Sequence, residues 1–130
     1  MLRRGCVYWA NMPGDKRRPV LLMSPEARNE RANDVIVVPL SSVLREGPWH
    51  VRLRKGEAGI AQASVVKCEQ ITTLRKDILV SEPLGGPISA GRMSQVERAV
   101  LRAIGVPVGD AEPAAGPAPA TCAGAVGTGG

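Results

Sequence analysis

Residues 35–42 have the sequence Val-Ile-Val-Val-Pro-Leu-Ser-Ser, and the fold can best be predicted from this segment. A continuous apolar run of strand length predicts a β-strand that is buried on both faces. Pro39 lies inside the run and predicts a bulge or the end of the strand, because proline has no N–H to donate to a neighbouring strand. Ser41 and Ser42 follow, so two hydroxyl groups are expected where the strand leaves the core.

Shorter apolar segments on both sides of this run predict further strands. They are residues 6–10, 19–23, 49–54, 64–67 and 70–74. Pro13 and Gly14 supply turn chemistry between the first two segments, and residues 25–31 have room for about one turn of helix. Residues 49–54 alternate between an apolar face and a polar face. The apolar face holds Trp49, Val51 and Leu53, and the polar face holds His50, Arg52 and Arg54.

The last apolar segment has a helical period. Its side chains recur at spacings that place them on one face of a helix; they are Met93, Val96, Val100, Leu101 and Ile104. Ser89 fits the N-cap, although Ser94 and Glu97 also form a capping box. Gly105 and Pro107 predict the end of the helix. Short strands followed by one packing helix predict an α+β fold, with a small barrel or a strongly bent sheet.

The composition allows one domain and no membrane span. The chain has 130 residues, of which 44% are hydrophobic and 2% are aromatic. No apolar run approaches the roughly 18 residues that cross a membrane, and no secretory leader is expected. Residues 107–130 consist mostly of Ala, Gly and Pro. We therefore expect a folded domain over residues 1–106 and a disordered tail over residues 107–130.

The expected domain is strongly basic. Residues 107–130 hold two of the 12 acidic residues and none of the 17 Lys and Arg, which leaves 17 basic against 10 acidic residues, a net charge of +7. This excess indicates a polyanionic partner such as nucleic acid, an acidic protein or an anionic membrane surface. A soluble domain with many surface arginines would have the same composition.

The cysteines indicate buried thiols in a reducing cytoplasm. Cys6, Cys68 and Cys122 are odd in number and include no closely spaced pair, and His50 is the single histidine. A disulfide framework and a zinc site both lack the residues they need. Cys6 and Cys68 are expected to be structural, while a nucleophilic pair of Cys68 and His50 is the alternative.

Two polar clusters are candidates for chemistry. The sequence has no glycine-rich phosphate loop and no motif of a metalloprotease or serine hydrolase. Lys16, Arg17 and Arg18 lie where a loop enters a strand, and such cations can hold a phosphate group. Ser41 and Ser42 leave the buried strand. The other interpretations are a solvated loop for the cations and turn capping for the hydroxyls.

Five segments resemble the MazF/PemK family of toxin endoribonucleases. Residues 4–9 resemble the family's RGDVY opening, residues 18–22 its RPVLV strand, and residues 35–42 its VIVVPLTS segment. Residues 69–79 are similar to its EQIRTVDKxRL block. The closing helix also matches, from Ser89 to the ending at residues 104–106. The resemblance covers about residues 3–106 in the right order and spacing.

The resemblance implies a fold and a function. The fold is a small SH3-like barrel, shared with the gyrase poison CcdB, with a C-terminal amphipathic helix. The function is that of a toxin in a toxin–antitoxin system: a cytoplasmic homodimer that cleaves single-stranded RNA at specific sequences. An antitoxin with an acidic, flexible segment would occupy the RNA groove. Arg18 and Ser41 match the family's active pair, and Gln70 matches a substrate contact. We add Lys16, Arg17 and Ser42 as RNA-binding candidates.

The implied chemistry needs neither metal nor cofactor. RNA supplies its own nucleophile, the 2′-hydroxyl. Arg18 would stabilise the charge on the phosphorane, and Ser41 would hydrogen-bond a phosphate oxygen or orient Arg18. The expected products are a 2′,3′-cyclic phosphate and a 5′-hydroxyl.

The sequence departs from the family at several positions. Cys6 replaces a common Asp, Ser41 replaces the commoner Thr, and Thr72 stands where Arg is frequent. The loop over residues 11–18 is shorter than usual, which affects base preference and the fit of the antitoxin. Two alternatives keep the fold: a CcdB-like toxin that binds a protein, and an RNA-binding barrel that does not cleave.

Overall fold

A computed structural model describes residues 1–14 and 16–109. Most of the expected tail, residues 110–130, lies outside the described residues. Three short 3₁₀ turns connect the later strands, at Glu57–Gly59, Cys68–Gln70 and Lys76–Ile78. The strands are β1 (Val7–Ala10), β2 (Arg18–Leu22), β3 (Asp34–Ser41), β4 (His50–Leu53), β5 (Ser64–Lys67) and β6 (Thr72–Arg75), and the helices are α1 (Glu26–Arg31) and α2 (Ala90–Ala103).

Strand β3 organises the sheet, in which every described pairing is antiparallel. The strand order is β1-β2-β3-β5-β4, and β6 also pairs with β3. Val37 is opposite both Leu22 of β2 and Thr72 of β6, so these two strands lie on different edges of β3. β5 then pairs with the end of β3, at Leu40 and Ser41. Because one strand serves three partners, the sheet bends; among the described residues β1 and β4 do not pair, so the sheet is not closed.

The expectation that β3 is buried on both faces is confirmed. Val35 and Val37 pack on one side of the sheet, and Val38 and Leu40 pack on the other. Pro39 neither bulges nor ends the strand, which continues to Ser41. Instead Pro39 is the last β3 residue opposite β2, and the pairing with β5 begins at Leu40. The missing N–H therefore lies where the strand exchanges one partner for another.

Two clusters of buried side chains cover the faces of the sheet. The larger one lies under α2 and includes Leu53, Val66 and Cys68. The smaller one is built around Tyr8 and Leu22 and is covered by Leu2, Met12, Leu74 and Ile78. The Tyr8 hydroxyl accepts a hydrogen bond from the Arg3 N–H at 2.8 Å, which satisfies its buried oxygen.

Helix α2 begins at the position that the sequence predicted. The face that it buries is narrower than the predicted apolar face. Ser89 is the N-cap, and its hydroxyl accepts a hydrogen bond from the Arg92 N–H. Met93, Val96 and Ala99 are buried, whereas Leu101 is 39% exposed and Ile104 is 63% exposed. The expected apolar face is therefore wrong at its C-terminal end. In β6 the start also moves, from residue 70 to residue 72, because Cys68–Gln70 form a 3₁₀ turn.

Candidate active site

Strands β2 and β3 bring Arg18 and Ser41 to one cleft. The two strands pair Leu22 with Val37, Leu21 with Val38 and Val20 with Pro39. The pairing ends at Val20 and Pro39, two residues from Arg18 along β2 and two residues from Ser41 along β3. Both Arg18 and Ser41 line a cleft of about 440 Å³, and Ser42 lines it as well. Three of the six site residues predicted from the sequence therefore meet in one place.

The far wall of the cleft comes from a tight approach of two backbone segments. Gly59 has a φ of +81°, and a Cβ atom at this position would overlap the carbonyl group of Leu84. Gly59 through Gln62, Ser64 and Leu84 line the wall that faces Arg18 and Ser41. Only glycine fits both the backbone conformation and the space. The shape of the cleft therefore depends on Gly59.

An ion pair fixes the turn that carries this wall. The Glu57 carboxylate accepts hydrogen bonds from the Arg92 guanidinium of α2 at 3.0 and 3.1 Å. It also accepts one from the Arg54 N–H at 2.6 Å. The side-chain hydrogen bond from Arg92 holds the pKa of Glu57 below its ordinary value, against a smaller opposing effect of burial. This pair ties the turn at Glu57–Gly59 to the helix.

The hydroxyl of Ser41 is oriented by its own backbone. Its oxygen accepts a hydrogen bond from the Val43 N–H at 3.1 Å. A hydroxyl that accepts in this way keeps its single O–H free to donate. Ser41 can therefore donate to an oxygen of a phosphate group in the cleft.

The other predicted site residues lie at or beyond the border of the cleft. Arg17 stacks on the ring of Trp9, with its guanidinium carbon 4.4 Å from the ring centre, and Trp9 lines the cleft. Lys16 is exposed on the same loop. Gln70 is exposed at the end of the 3₁₀ turn Cys68–Gln70 and is not among the lining residues. The cations thus flank the cleft, and Gln70 lies apart from it.

Sequence reasoning missed three polar or aromatic lining residues. Trp9, Gln62 and Ser64 all line the cleft. Gln62 lies in a connection without a periodic pattern, and Ser64 opens a strand whose partners cannot be read from one sequence. The sequence predicted Trp9 as part of the first strand, but nothing in the sequence placed its side chain beside Arg18.

The alternative nucleophile pair of Cys68 and His50 does not fit the structure. Cys68 is completely buried, and burial raises the pKa of its thiol to about 12, so the reactive thiolate is not formed near neutral pH. His50 lies on the polar face of β4, as its alternation with Val51 and Leu53 predicted, but it is largely shielded from solvent. Its side chain is 12% exposed, with Nε2 3.3 Å from the Glu69 carboxylate.

The described residues contain neither a cluster of metal ligands nor a helix that could span a membrane. Across residues 1–14 and 16–109, no group of three or more His, Cys, Asp or Glu side chains could hold a metal ion. In the same part of the chain no helix is long and apolar enough to cross a membrane.

The bent sheet, the helix and the cleft that holds Arg18 and Ser41 agree with the family that the sequence matches. The family model of PemK-like, MazF-like toxins of type II toxin–antitoxin systems matches residues 3–104. The match covers more than half of the chain. The chain therefore belongs to this toxin family.

Individual relatives extend along nearly the whole described domain. The endoribonuclease MazF of Staphylococcus saprophyticus is 31% identical over 114 residues, covering 82% of this chain and 93% of the relative. The probable endoribonuclease MazF5 of Mycobacterium tuberculosis is 28% identical over 106 residues, which cover 81% of this chain and 91% of the relative. Among solved structures, an endoribonuclease in complex with its cognate antitoxin, from a mycobacterial species, is 29% identical. It superposes with a TM-score of 0.72 and covers 84% of this chain and 100% of that chain.

Proposed function

We propose that this chain is the toxin of a toxin–antitoxin system and an endoribonuclease that cleaves single-stranded RNA at specific sequences. The observation that carries the proposal is the meeting of Arg18 and Ser41 in one open cleft of a basic domain. The family relationship and the relatives named endoribonucleases support the same activity.

The mechanism we propose uses the 2′-hydroxyl of the substrate as nucleophile. The 2′-oxygen loses its proton to water and forms a bond to the adjacent phosphorus, and the bond from phosphorus to the 5′-oxygen of the next nucleotide breaks as that oxygen takes up a proton from water. Arg18 donates charge-assisted hydrogen bonds to the phosphorane oxygens, and Ser41 donates its free O–H to one of them. The guanidinium of Arg18 has only N–H donors and no acceptor for a proton, so Arg18 is unsuitable as a general base. Stabilisation of charge and positioning of the strand then supply most of the rate.

Partners and assembly follow as part of the same proposal. The chain acts as a homodimer in the cytoplasm, and an antitoxin inhibits it by placing an acidic, flexible segment in the RNA groove. The excess positive charge of the domain supports a shared site for RNA and an acidic segment. The relative solved with its cognate antitoxin supports the inhibitory partner. Both associations should weaken as salt rises.

We assign the catalytic domain to residues 1–106 and describe its sheet as an SH3-like barrel. The pairing of β3 with three strands and the bridge between Ala10 and Leu79 support a coiled sheet. Residues from about 110 onward are proposed to be dispensable for cleavage, since they lack core-forming and basic residues. A chain truncated after Gly109 should cut RNA as fast as the full chain; slower cutting by a well-folded truncation would give the tail a role.

The decisive experiment is incubation of the purified full chain with a long RNA of mixed sequence in the presence of EDTA. We expect cleavage at a small set of sequences, with 2′,3′-cyclic phosphate and 5′-hydroxyl ends. A substrate with 2′-deoxyribose at the scissile position should bind and remain intact. Binding without cleavage would favour the RNA-binding barrel, and neither binding nor cleavage would favour a toxin that acts on a protein. Arg18→Ala, prepared in parallel, excludes a contaminating nuclease.

A further inference from the structure

A glutamine with an unpaired amide group lies in the wall of the cleft that faces Arg18 and Ser41. Gln62 lines the cleft from the exposed bend just before β5. Within residues 1–14 and 16–109 its side-chain amide makes no hydrogen bond, while its backbone carbonyl accepts one from the Ser64 hydroxyl at 3.0 Å. The amide of Gln62 is therefore available to a ligand in the cleft.

The bend that presents Gln62 is held by buried residues on both sides. Ala58 and Ile60 are buried in the larger core cluster, and Ser64 is buried at the start of β5. Ala58 has a φ of +54° and the adjacent Gly59 has a φ of +81°, so two successive residues adopt the left-handed conformation. A residue other than glycine keeps this conformation only where its surroundings fix it, and such residues gather at binding and catalytic sites. Gln62 therefore projects from a backbone whose position is fixed.

The other polar side chains that line the cleft either have a role already or cannot distinguish bases. Arg18 and Ser41 act on the scissile phosphate in the proposed mechanism. The Ser64 hydroxyl donates to the backbone carbonyl of Gln62. Ser42 carries a single hydroxyl, which can donate to or accept from every base and therefore distinguishes none. The remaining lining side chains are apolar or aromatic. Recognition of a base by hydrogen bonds is thus left to the amide of Gln62.

We propose that Gln62 reads one base of the RNA beside the scissile phosphate and so determines part of the cleavage sequence; this inference rests on the proposed function. Bases of a single strand can turn away from their neighbours, stack on flat side chains and form hydrogen bonds through their Watson–Crick edges. Trp9 lines the same cleft with Arg17 stacked on its ring, and both groups offer flat surfaces on which any base can stack. Stacking holds the base without distinguishing its type, and Gln62 selects it.

A glutamine amide can select a base because its donor and its acceptor lie side by side. The oxygen accepts and the NH₂ group donates, so the amide forms two hydrogen bonds with a base edge that presents a donor beside an acceptor. Adenine and cytosine present an amino group beside a ring-nitrogen acceptor, whereas guanine and uracil present a carbonyl oxygen beside a ring N–H. The order of donor and acceptor is reversed between these two classes, so an amide held in one orientation prefers one of them. A base of the other class leaves the amide without its partners in the cleft.

The test maps the sites that the unmodified chain and each variant cut in the long RNA of mixed sequence. The new 5′-hydroxyl ends are sequenced, and cleavage rates at different sites are compared within one reaction, so a general change of rate does not affect the result. Gln62→Ala removes the amide, and Gln62→Glu keeps the size of the side chain but removes its donor. The matched controls are Gln95→Ala and Gln95→Glu, at an exposed glutamine of α2 that does not line the active cleft.

We expect Gln62→Ala to lower the preference for one base at a single position of the site roughly tenfold, and to leave the preferences at the other positions unchanged. Gln62→Glu should raise the share of guanine at that same position. A carboxylate only accepts hydrogen bonds, and guanine presents two adjacent donors, its ring N–H and its 2-amino group. Both variants should keep the thermal unfolding midpoint, because Gln62 is exposed and its amide is unpaired. Both Gln95 controls should cut the same sites as the unmodified chain.

Three results would overturn the role of Gln62 while leaving the proposed function intact. The first is a set of cleavage sites that Gln62→Ala leaves unchanged. The second is a loss of preference at every position together, which would mean that Gln62 only shapes the cleft. The third is a share of guanine that does not rise in Gln62→Glu. Failure of the unmodified chain to cut the RNA would instead remove the proposed function itself, and the inference with it.

Discussion

The two ends of β3 carry similar charges and use them differently. At the first end, near Asp34, the Arg28 guanidinium donates to the backbone oxygen of Asp34 at 2.9 Å and to its carboxylate at 2.7 Å. Lys76 donates to the carbonyl of Asn29 at 2.6 Å. At the last end, Arg45 and Lys67 have no carboxylate partner among the described residues. One end uses its cations to hold the chain together, and the other leaves them facing open clefts.

The comparison indicates that one end of β3 contributes to stability and the other end contributes to the site. Polar groups whose hydrogen bonds are made within the protein stabilise the connection between α1 and β3. Their donors are therefore not available to a ligand. Cations beside a cleft repel one another and raise the energy of the folded chain until an anion arrives. We therefore expect substitutions at the first end to change stability and substitutions at the last end to change activity. Five substitutions test this division, and we expect the largest effect from the loss of Arg18.

Arg18→Ala should lower the rate of RNA cleavage by two or more orders of magnitude. Loss of one donor to a developing oxyanion in such a site corresponds to roughly 3–4 kcal/mol of transition-state stabilisation. The measurement is single-turnover cleavage of an RNA that contains the mapped site, with the thermal unfolding midpoint recorded alongside. Arg31→Ala, an exposed arginine at the end of α1, is the charge-matched control and should cut normally. An active Arg18→Ala protein would remove the arginine from the mechanism.

Gly59→Ala should destabilise the protein by about 2–3 kcal/mol and slow cleavage in the fraction that remains folded. The positive φ disfavours alanine, and the new methyl group would overlap the Leu84 carbonyl, so the cleft wall must move. Denaturant unfolding measures the first effect. Gly86→Ala is the control, since no atom lies within 4 Å of its Cβ position. Equal stability of the two variants would show that the close approach does not shape the cleft.

Ser41→Ala should slow cleavage roughly tenfold, less than the loss of Arg18. A neutral hydroxyl donates a weaker hydrogen bond to a phosphate oxygen than a guanidinium does. Ser41→Thr keeps the donor and should retain most of the rate under the same single-turnover conditions. If Ser41→Thr is as slow as Ser41→Ala, the position is important for shape and not for its hydroxyl.

Arg28→Ala should lower the free energy of unfolding by about 1 kcal/mol and leave the cleavage rate unchanged. The substitution removes two hydrogen bonds to Asp34 at a partly exposed site, where such contacts contribute modestly. Urea unfolding and the cleavage assay provide the two readouts. A large loss of activity with unchanged stability would contradict the division between the two ends of β3.

Glu57→Gln should have the smallest effect, a modest loss of stability near neutral pH that disappears in acid. The pKa of Glu57 is held below its ordinary value of 4.5 by the hydrogen bond from Arg92, so its ionised form favours the folded state. This contribution is complete above the unfolded pKa and disappears as the pH falls through the lower folded pKa. Below about pH 5 the variant should therefore lose stability less steeply than the unmodified chain. Parallel pH profiles would refute the depressed pKa.

Most of the local structure could be predicted from the sequence. Six apolar segments predicted the six strands, with shifts of one or two residues at several ends, because burial on a face leaves its period in the sequence. Ser89 was recognisable as a helix cap, since capping depends on neighbours in the chain. Arg18 and Ser41 were named from motifs whose order and spacing identify the family, and their catalytic roles stay predictions.

The tertiary structure decided which of these residues meet. Arg18 and Ser41 share a cleft because β2 pairs with β3, and the opposite wall exists because Gly59 approaches Leu84 from a distant part of the chain. The exposure of Ile104 contradicts its helical pattern, and the sequence did not predict that the side chain of His50 is only 12% exposed. A periodic pattern records which face of a segment is apolar, but it carries no information about which other segment covers that face. Side chains meet in a site only when distant segments of the chain pack against each other, and this packing depends on the whole chain.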